Sequence, residues 1–354
     1  VRSLPVLGPD PAPAPRLRHV LLTVTDSHGF QYGHVRDLED EIVRITGAQV
    51  VPIPAYCPPG FVQQHLSHGT RWAPLRRLAP ARADFAVDAD VLWLVLMGPE
   101  ASWLDLYRGW DRRVGKRIVY VFDTFEEQRE SLRRLAGAAR WDVAATSFHG
   151  ALPMLERETG RAWAAVPQGV KLDRFTPAPE AERLIAMCSY GRRIPAVHEA
   201  VDRFCDELGL HHEVSIAASL QTDISPRYLY KQYAWHLCRS FFAFSWPVEL
   251  THPARAGSFS PVTCRWFEAA AAGATMVGRP PSDPVFRELF GDGAVVPFDP
   301  APRTPGEARK ALASLWARRE ELLREALARR AALSARWTWE ARVREMMALA
   351  GVDR

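Results

Sequence analysis

Gly257-Ser-Phe-Ser-Pro-Val-Thr-Cys-Arg-Trp-Phe-Glu-Ala-Ala-Ala-Ala-Gly-Ala274 decides how the chain is to be read. Its second part predicts a helix over Thr263–Ala272, made almost entirely of small and apolar residues, that packs on nearly every face. Two charges on such a helix, Arg265 and Glu268, need partners. They can answer one another as an i,i+3 ion pair. Alternatively, a carboxylate there accepts hydrogen bonds from ribose hydroxyls, while the guanidinium and the amides at the helix start meet a phosphate.

Outward from this stretch, short apolar runs alternate with amphipathic segments, the pattern of βαβ units that build a parallel sheet. On the far side the strand Thr275–Gly278 follows, then a helix at Pro284–Leu289 and a strand at Ala294–Val296. Toward the N-terminus the same half contains strands at Leu184–Cys188, Glu213–Ala217 and Phe241–Phe244, with helices at Ala196–Leu208 and Arg227–Cys238. An earlier series has strands at His19–Thr25, Gln49–Ile53, Val91–Met97, Arg117–Phe122, Val143–Thr146 and Ala164–Val166, and helices at His34–Thr46, Phe125–Ala139 and Ala151–Thr159. The proline-stiffened segment Thr176-Pro-Ala-Pro179 joins the two series. The expected fold class is therefore α/β, with two Rossmann-like domains facing across a cleft. After Pro305 one long helix is expected through Ala332, then a last helix over Trp339–Ala350. The expected boundaries are a flexible Pro-rich leader at 1–16, domains at 17–177 and 183–335, and a final segment at 336–354.

Composition narrows the function classes. In 354 residues, 47% are hydrophobic and 24% charged, as in soluble globular chains, and the net charge of +4 is too small to imply nucleic acid. The only lysines are Lys116, Lys171, Lys231 and Lys310, so arginine supplies nearly all positive charge. Such a bias lowers the information in any one arginine. Cys57, Cys188, Cys205, Cys238 and Cys264 are scattered without a Cys-x-x-Cys pair and read as reduced thiols, which points to the cytoplasm. No run reaches the roughly 18 apolar residues of a membrane span.

Ligands of open α/β sheets bind outside the carboxyl ends of the strands, so the loops there come first. Asp26-Ser-His-Gly-Phe-Gln-Tyr-Gly33 follows the first strand, with Gly29, Gln31, Tyr32 and Gly33 as an acceptor loop ahead of a helix start that also carries His34. The same loop could equally be a capped βα turn, and it lacks the G-x-G-x-x-G of dinucleotide sites. Ser189-Tyr-Gly-Arg-Arg193 offers Gly191, Arg192 and Arg193 to a diphosphate, or is a basic surface turn. Asp88-Ala-Asp90 resembles a metal-holding D-x-D, but it precedes its strand, at the end away from the cleft. It reads as a solvated turn, and no metal or other cofactor is expected. Trp72, Trp103, Trp110, Trp246 and Trp266 could be sugar platforms or core, and Arg71–Arg82 reads as a solvated loop.

Arg265-Trp-Phe-Glu-Ala-Ala-Ala-Ala-Gly-Ala274 resembles the R-x-F-E-A-x-A-x-G-A element of glycosyltransferases with the two-Rossmann GT-B fold, nearest the group-1 and spore-maturation CgeB-like families. Further similarities are Asp142–Ser147, Val166-Pro-Gln-Gly-Val170 and Asp173-Arg-Phe-Thr-Pro177 at the end of the first domain, and Tyr190-Gly-Arg192 after the first strand of the second. The resemblance spans the chain from about residue 18. It implies a C-terminal helix crossing back to the first domain and a metal-independent transfer of a sugar from a nucleoside-diphosphate sugar to a small-molecule or glycan acceptor. Gly191, Arg192, Arg193, Thr263, Arg265 and Glu268 would then hold the donor, with Phe244-Ser245-Trp246 near its base. The sequence departs from the family pattern at Ser260, where a first glutamate is usual, at Arg193–His198, which lacks the usual lysine, and at Gln168 and Lys171.

Asp26, His28, Asp123 and His149 border the strand ends of the first domain and are the candidate bases for an acceptor hydroxyl or amine. Each could instead be a cap or a satisfied polar residue. A nucleotide-sugar epimerase on the same fold, and a catalytically silent nucleotide- or sugar-binding module, remain as alternatives. Oligomeric state is left open.

Overall fold

A computed structural model describes residues 17–23, 32–52, 83–99, 104, 107–191, 193–215, 225–299, 301 and 304–352. The expected leader, Asp26, His28, Gly29, Gln31, Arg192, Cys57, Trp72, Trp103 and Arg71–Arg82 lie outside the described residues.

The apolar runs become the strands of two parallel sheets. The first has the order β2-β1-β4-β6-β7-β8, with β1 His19–Thr23, β2 Gln49–Pro52, β4 Ala89–Leu96, β6 Val114–Val121, β7 Val143–Thr146 and β8 Ala164–Ala165. The second has the order β10-β9-β11-β12-β13, with β9 Ile185–Tyr190, β10 His212–Ser215, β11 Ser240–Ser245, β12 Thr275–Gly278 and β13 Val295–Pro297. Two short strands, β3 Ala83–Asp84 and β5 Tyr107–Arg108, pair separately. In β4, β7, β9, β11 and β12 nearly every residue is buried, as in strands covered on both faces.

The helices that cover the first sheet include α1 Gly33–Thr46, α2 Arg129–Ala138 and α3 Leu152–Thr159; α4 Pro195–Leu208 and α5 Pro226–Cys238 belong to the second. Between β11 and β12 lie two one-turn helices, α6 Val248–Thr251 and α7 Pro253–Ala256, and then α8 Cys264–Ala271. After β12 come α9 Val285–Phe290, α10 Pro305–Ala317, α11 Arg319–Leu333 and α12 Trp339–Leu349. The single long helix expected after Pro305 is thus two: the backbone leaves helical geometry at Arg318 (φ −101°, ψ 10°), where the Arg319 guanidinium stacks 4.8 Å over the Trp316 ring.

Two structural seams join the halves. Helix α12 returns from the second half and packs Trp339, Val343 and Met346 into one core with Val35, Leu38 and Ile42 of α1. Its seat is the Pro167-Gln-Gly-Val170 segment. Val170 bridges to Thr338, and Arg342 donates to the Gln168 carbonyl at 3.4 Å. A Cβ at Gly169 would stand 2.9 Å from the Trp339 ring, so only glycine admits this approach. At the other seam, Val248, Ala256 and Phe259 of the second half are buried in the first half's core beside Phe125 and Phe148. Removing a phenylalanine from water contributes roughly 1.5–3 kcal/mol, so this contact holds the halves together.

Several sequence expectations fall out of the packing. Cys188, Cys205 and Cys238 are buried free thiols, and desolvation pushes the Cys188 thiol up to about 12. Trp110, Trp246 and Trp266 are core residues. Among the described residues no helix is long and apolar enough to cross a membrane. Asp90 accepts the Arg18 backbone N–H at 2.7 Å, which holds its carboxyl below the usual range, and Asp88 pairs with Arg113 at 3.6 Å. Both lie at the amino end of β4. Asp90→Asn is accordingly expected to leave Mn²⁺ or Mg²⁺ titrations unchanged; loss of a binding isotherm would restore the metal-holding reading.

Candidate active site

In each sheet the strand order reverses between two neighbours, β1 and β4 in the first and β9 and β11 in the second. The crevice beyond the carboxyl ends at such a point is where open α/β sheets bind ligands. Residues 24–32 and Gly191–Ile194 follow β1 and β9, and the long 246–263 connection follows β11. Helices α1 and α8 start at this level.

Glu268 sits at the centre. It is 4% exposed, and its Oε1 and Oε2 accept from the hydroxyls of Tyr230 at 2.7 Å and Tyr233 at 2.9 Å. Burial raises its pKa to about 7, against the opposing pull of the two tyrosines and the Arg265 charge. The carboxylate is therefore directed at hydroxyl donors, and Arg265 acts on it through charge. Tyr230 and Tyr233 are an i,i+3 pair on α5, a helix whose sequence carries no other mark of a site. Their only prior signal is the spacing in Tyr228-Leu-Tyr-Lys-Gln-Tyr233.

Arg265 is fixed from behind. The Tyr190 hydroxyl donates to its carbonyl at 2.7 Å, and its guanidinium lies where a Cβ on Gly191 would stand. Gly191 is in the left-handed region (φ +70°), a conformation that glycine adopts at no steric cost. The Arg265 Nη1 is buried with no hydrogen-bond partner. Thr263 is the buried N-cap of α8, and its side chain makes no capping bond. The first turn of α8 thus has amides without a side-chain cap beside a guanidinium with spare donors. That is the composition of an anion site.

The first half meets this group at the start of α1. Gly33 is packed directly on the Tyr230 ring, in a space no larger residue could share. The nearest ligand atoms of His34, Cys264 and Glu268 lie within 4.8 Å of one another. Desolvation, then the Arg265 charge, pushes the His34 imidazole down to about 3, so it is neutral. Tyr32, expected in the acceptor loop, is 5% exposed and belongs to the core behind α1.

The remaining candidates occupy the seam around this centre. Asp123 takes the Arg255 guanidinium at 3.0 Å, with that guanidinium 4.4 Å over the Phe125 ring, and Ser258 donates to Glu126 at 2.9 Å. His149 Nδ1 is 3.8 Å from the Asp283 carboxylate of the second half. Arg193 is described and engaged by neighbours. Phe244, Ser245 and Trp246 are buried at the end of β11, with both rings in the core. Ser260, where the resemblance leads one to expect a glutamate, accepts the Ser282 backbone N–H at 2.9 Å and donates to the Glu249 carboxylate. The second Glu249 oxygen is buried without a partner. A carboxylate thus reaches position 260 from α6, which no spacing in the sequence could reveal.

Residues 196–348 match the family model described as glycosyl transferase-like. A search of curated proteins found no match. Among solved structures the chain is similar to the glycotransferase of kitacinnamycin (14% identity, 95% of this chain and 100% of that one, TM-score 0.47). It is also similar to AviGT4, a glycosyltransferase involved in avilamycin A biosynthesis (14%, 95% and 97%, TM-score 0.44). A third is the spinosyn forosaminyltransferase SpnP (14%, 95% and 100%, TM-score 0.42).

Proposed function

We propose that this protein is a glycosyltransferase of the GT-B class that moves a sugar from a nucleoside-diphosphate donor to an acceptor hydroxyl or amine without using a metal in the transfer, a reading supported by the glycosyl transferase-like match over residues 196–348. The observation that carries the reading is the meeting of Gly191, Thr263, Arg265 and Glu268 at the start of α1. Glu268 would exchange a tyrosine hydroxyl for those of the ribose. Arg265, Arg192 or Arg193, and the first amides of α8 would neutralise the diphosphate, stabilising the charge that builds on it as the glycosidic bond breaks. Positive charge from side chains and a helix terminus does this without a metal ion.

The acceptor would lie on the first half, near residues 26–33. Desolvation and the Arg265 charge hold the His34 imidazole down to about 3, too weak a base for an incoming hydroxyl, so Asp26, His28, Asp123 and His149 are the bases to compare. The Asp123–Arg255 and Ser258–Glu126 contacts tie the halves around the donor and would keep water from it. Incubation of nucleotide sugars with and without acceptors tests the reaction class. Product that forms only with acceptor, and survives chelation, supports metal-independent transfer; a changed sugar with no acceptor present would mean epimerisation.

The Ser260–Glu249 pair supports Glu249 as the group that faces the donor sugar. Glu249→Gln is expected to lower kcat about tenfold or more with the nucleoside-diphosphate Kd unchanged, since a contact made to the sugar alone is absent from the diphosphate. Equal losses for both ligands would count against that role.

A further inference from the structure

On the other side of the Gly191 loop from the candidate active site, three residues of the second half converge. His198 and Asp202 are four apart on α4 and so share one face; His212 opens β10, beside β9. One ligand atom from each can be chosen so that all lie within 4.8 Å of one another. His212 Nδ1 is 2.6 Å from Asp202 Oδ1, His198 Nε2 is 3.6 Å from Asp202 Oδ2, and the two imidazoles are 5.0 Å apart between centroids.

We propose that His198, Asp202 and His212 form a binding site for a divalent transition-metal ion, Zn²⁺ foremost, that braces the donor loop from outside. Two imidazoles and a carboxylate are the ligand types borderline ions prefer, and three protein ligands leave a position for water. The geometry beyond the ligands fits as well. If His212 binds through Nδ1, its Nε2–H is free to donate to Ser189 Oγ, which stands 3.0 Å away; metal-bound histidines are commonly fixed in this way by their second nitrogen. If His198 binds through Nδ1, the ion also satisfies an atom that is otherwise buried with no hydrogen-bond partner.

The Ser189–His212–Asp202 chain also has the order of a hydrolytic triad. Ser189 is 7% exposed within β9, however, so no substrate reaches its hydroxyl. The His34, Cys264 and Glu268 group is the other cluster of metal-ligating residues among those described, and it belongs to the candidate active site. A thiolate ligand distinguishes the two spectroscopically.

Titration of the chelator-stripped full chain with Co²⁺ and with Zn²⁺ tests the site. One equivalent should bind, with Co²⁺ giving visible d–d bands and no near-ultraviolet thiolate charge-transfer band, and Zn²⁺ should raise the melting temperature. Asp202→Asn, whose side chain is half exposed, should weaken Zn²⁺ at least tenfold while the metal-free melting temperature stays put. His198→Ala should likewise weaken Zn²⁺, and Cys264→Ala should leave the Co²⁺ and Zn²⁺ affinities unchanged. The site is refuted if no stoichiometric ion binds, if binding survives both ligand substitutions, or if a thiolate band appears that Cys264→Ala removes. Because the ion stands outside the reacting groups, chelation should lower the melting temperature and leave transfer intact, so failure of this site and failure of the transferase reading give different results.

Discussion

Replacing Glu268 with alanine is expected to weaken nucleoside-diphosphate binding by at least 100-fold and to destabilise the apoprotein. Hydrogen bonds from ligand hydroxyls to a charged acceptor are each worth about 1.5–3 kcal/mol, and tenfold in affinity corresponds to about 1.4 kcal/mol. Loss of two such bonds therefore gives the stated factor. The destabilisation has a separate origin: the Tyr230 and Tyr233 hydroxyls, both donating to this carboxylate, would be left buried and unpaired at a cost of about 1–3 kcal/mol each. Glu268→Gln separates the effects, because an amide of the same shape can still serve both tyrosines. Its melting temperature should stay near that of the parent while affinity falls.

The same residue sets a pH dependence. Burial raises the Glu268 pKa to about 7, above that of an unfolded glutamate. A group shifted upward on folding contributes stability that is fully present below the unfolded value, about 4.5, and is lost as pH rises through the folded one. Urea unfolding of the apoprotein should therefore show this contribution declining between roughly pH 4.5 and 7, by something on the order of 3 kcal/mol. In Glu268→Gln that component should vanish. An identical pH profile in the two proteins would contradict the assigned environment.

Gly191→Ala carries the second large effect. The residue has φ +70°, where a side chain costs roughly 1–2 kcal/mol, and its methyl group would collide with the Arg265 guanidinium. The strain should lower the melting temperature by a few degrees. The displaced guanidinium should raise the donor KM at least tenfold and leave the acceptor KM near its original value. If donor KM were unchanged, Arg265 would not be a diphosphate contact.

The parallel strands were legible because strands buried on both faces leave unbroken apolar runs, and β7 and β12 coincide with their expected limits. The elements that escaped have reasons too. Helices α6 and α7 are single turns divided by His252, too short for any period to register. The break at Arg318 sits in an Ala-, Arg-, Glu- and Leu-rich run with no glycine or proline, so composition continues while the backbone does not.

At the site, Arg265 and Glu268 stood out because charge on a small-residue helix demands a partner. Their actual partners did not stand out. Tyr230 and Tyr233 look like core residues in sequence, and Glu249 reaches Ser260 through a fold in the 246–263 connection that local spacing cannot encode. Asp123 was legible as a residue at a strand end, yet its bond to Arg255 depends on how the two halves dock.

Calorimetric titration of the wild-type chain with UDP, GDP, dTDP and ADP, repeated on Glu268→Gln, tests the central claim most directly. One of the four should bind the wild type at a single site and bind the variant at least tenfold more weakly, with the variant's melting temperature retained. Equal affinity of the two proteins for every nucleotide, or no binding to a folded wild type, would contradict the donor site on α8.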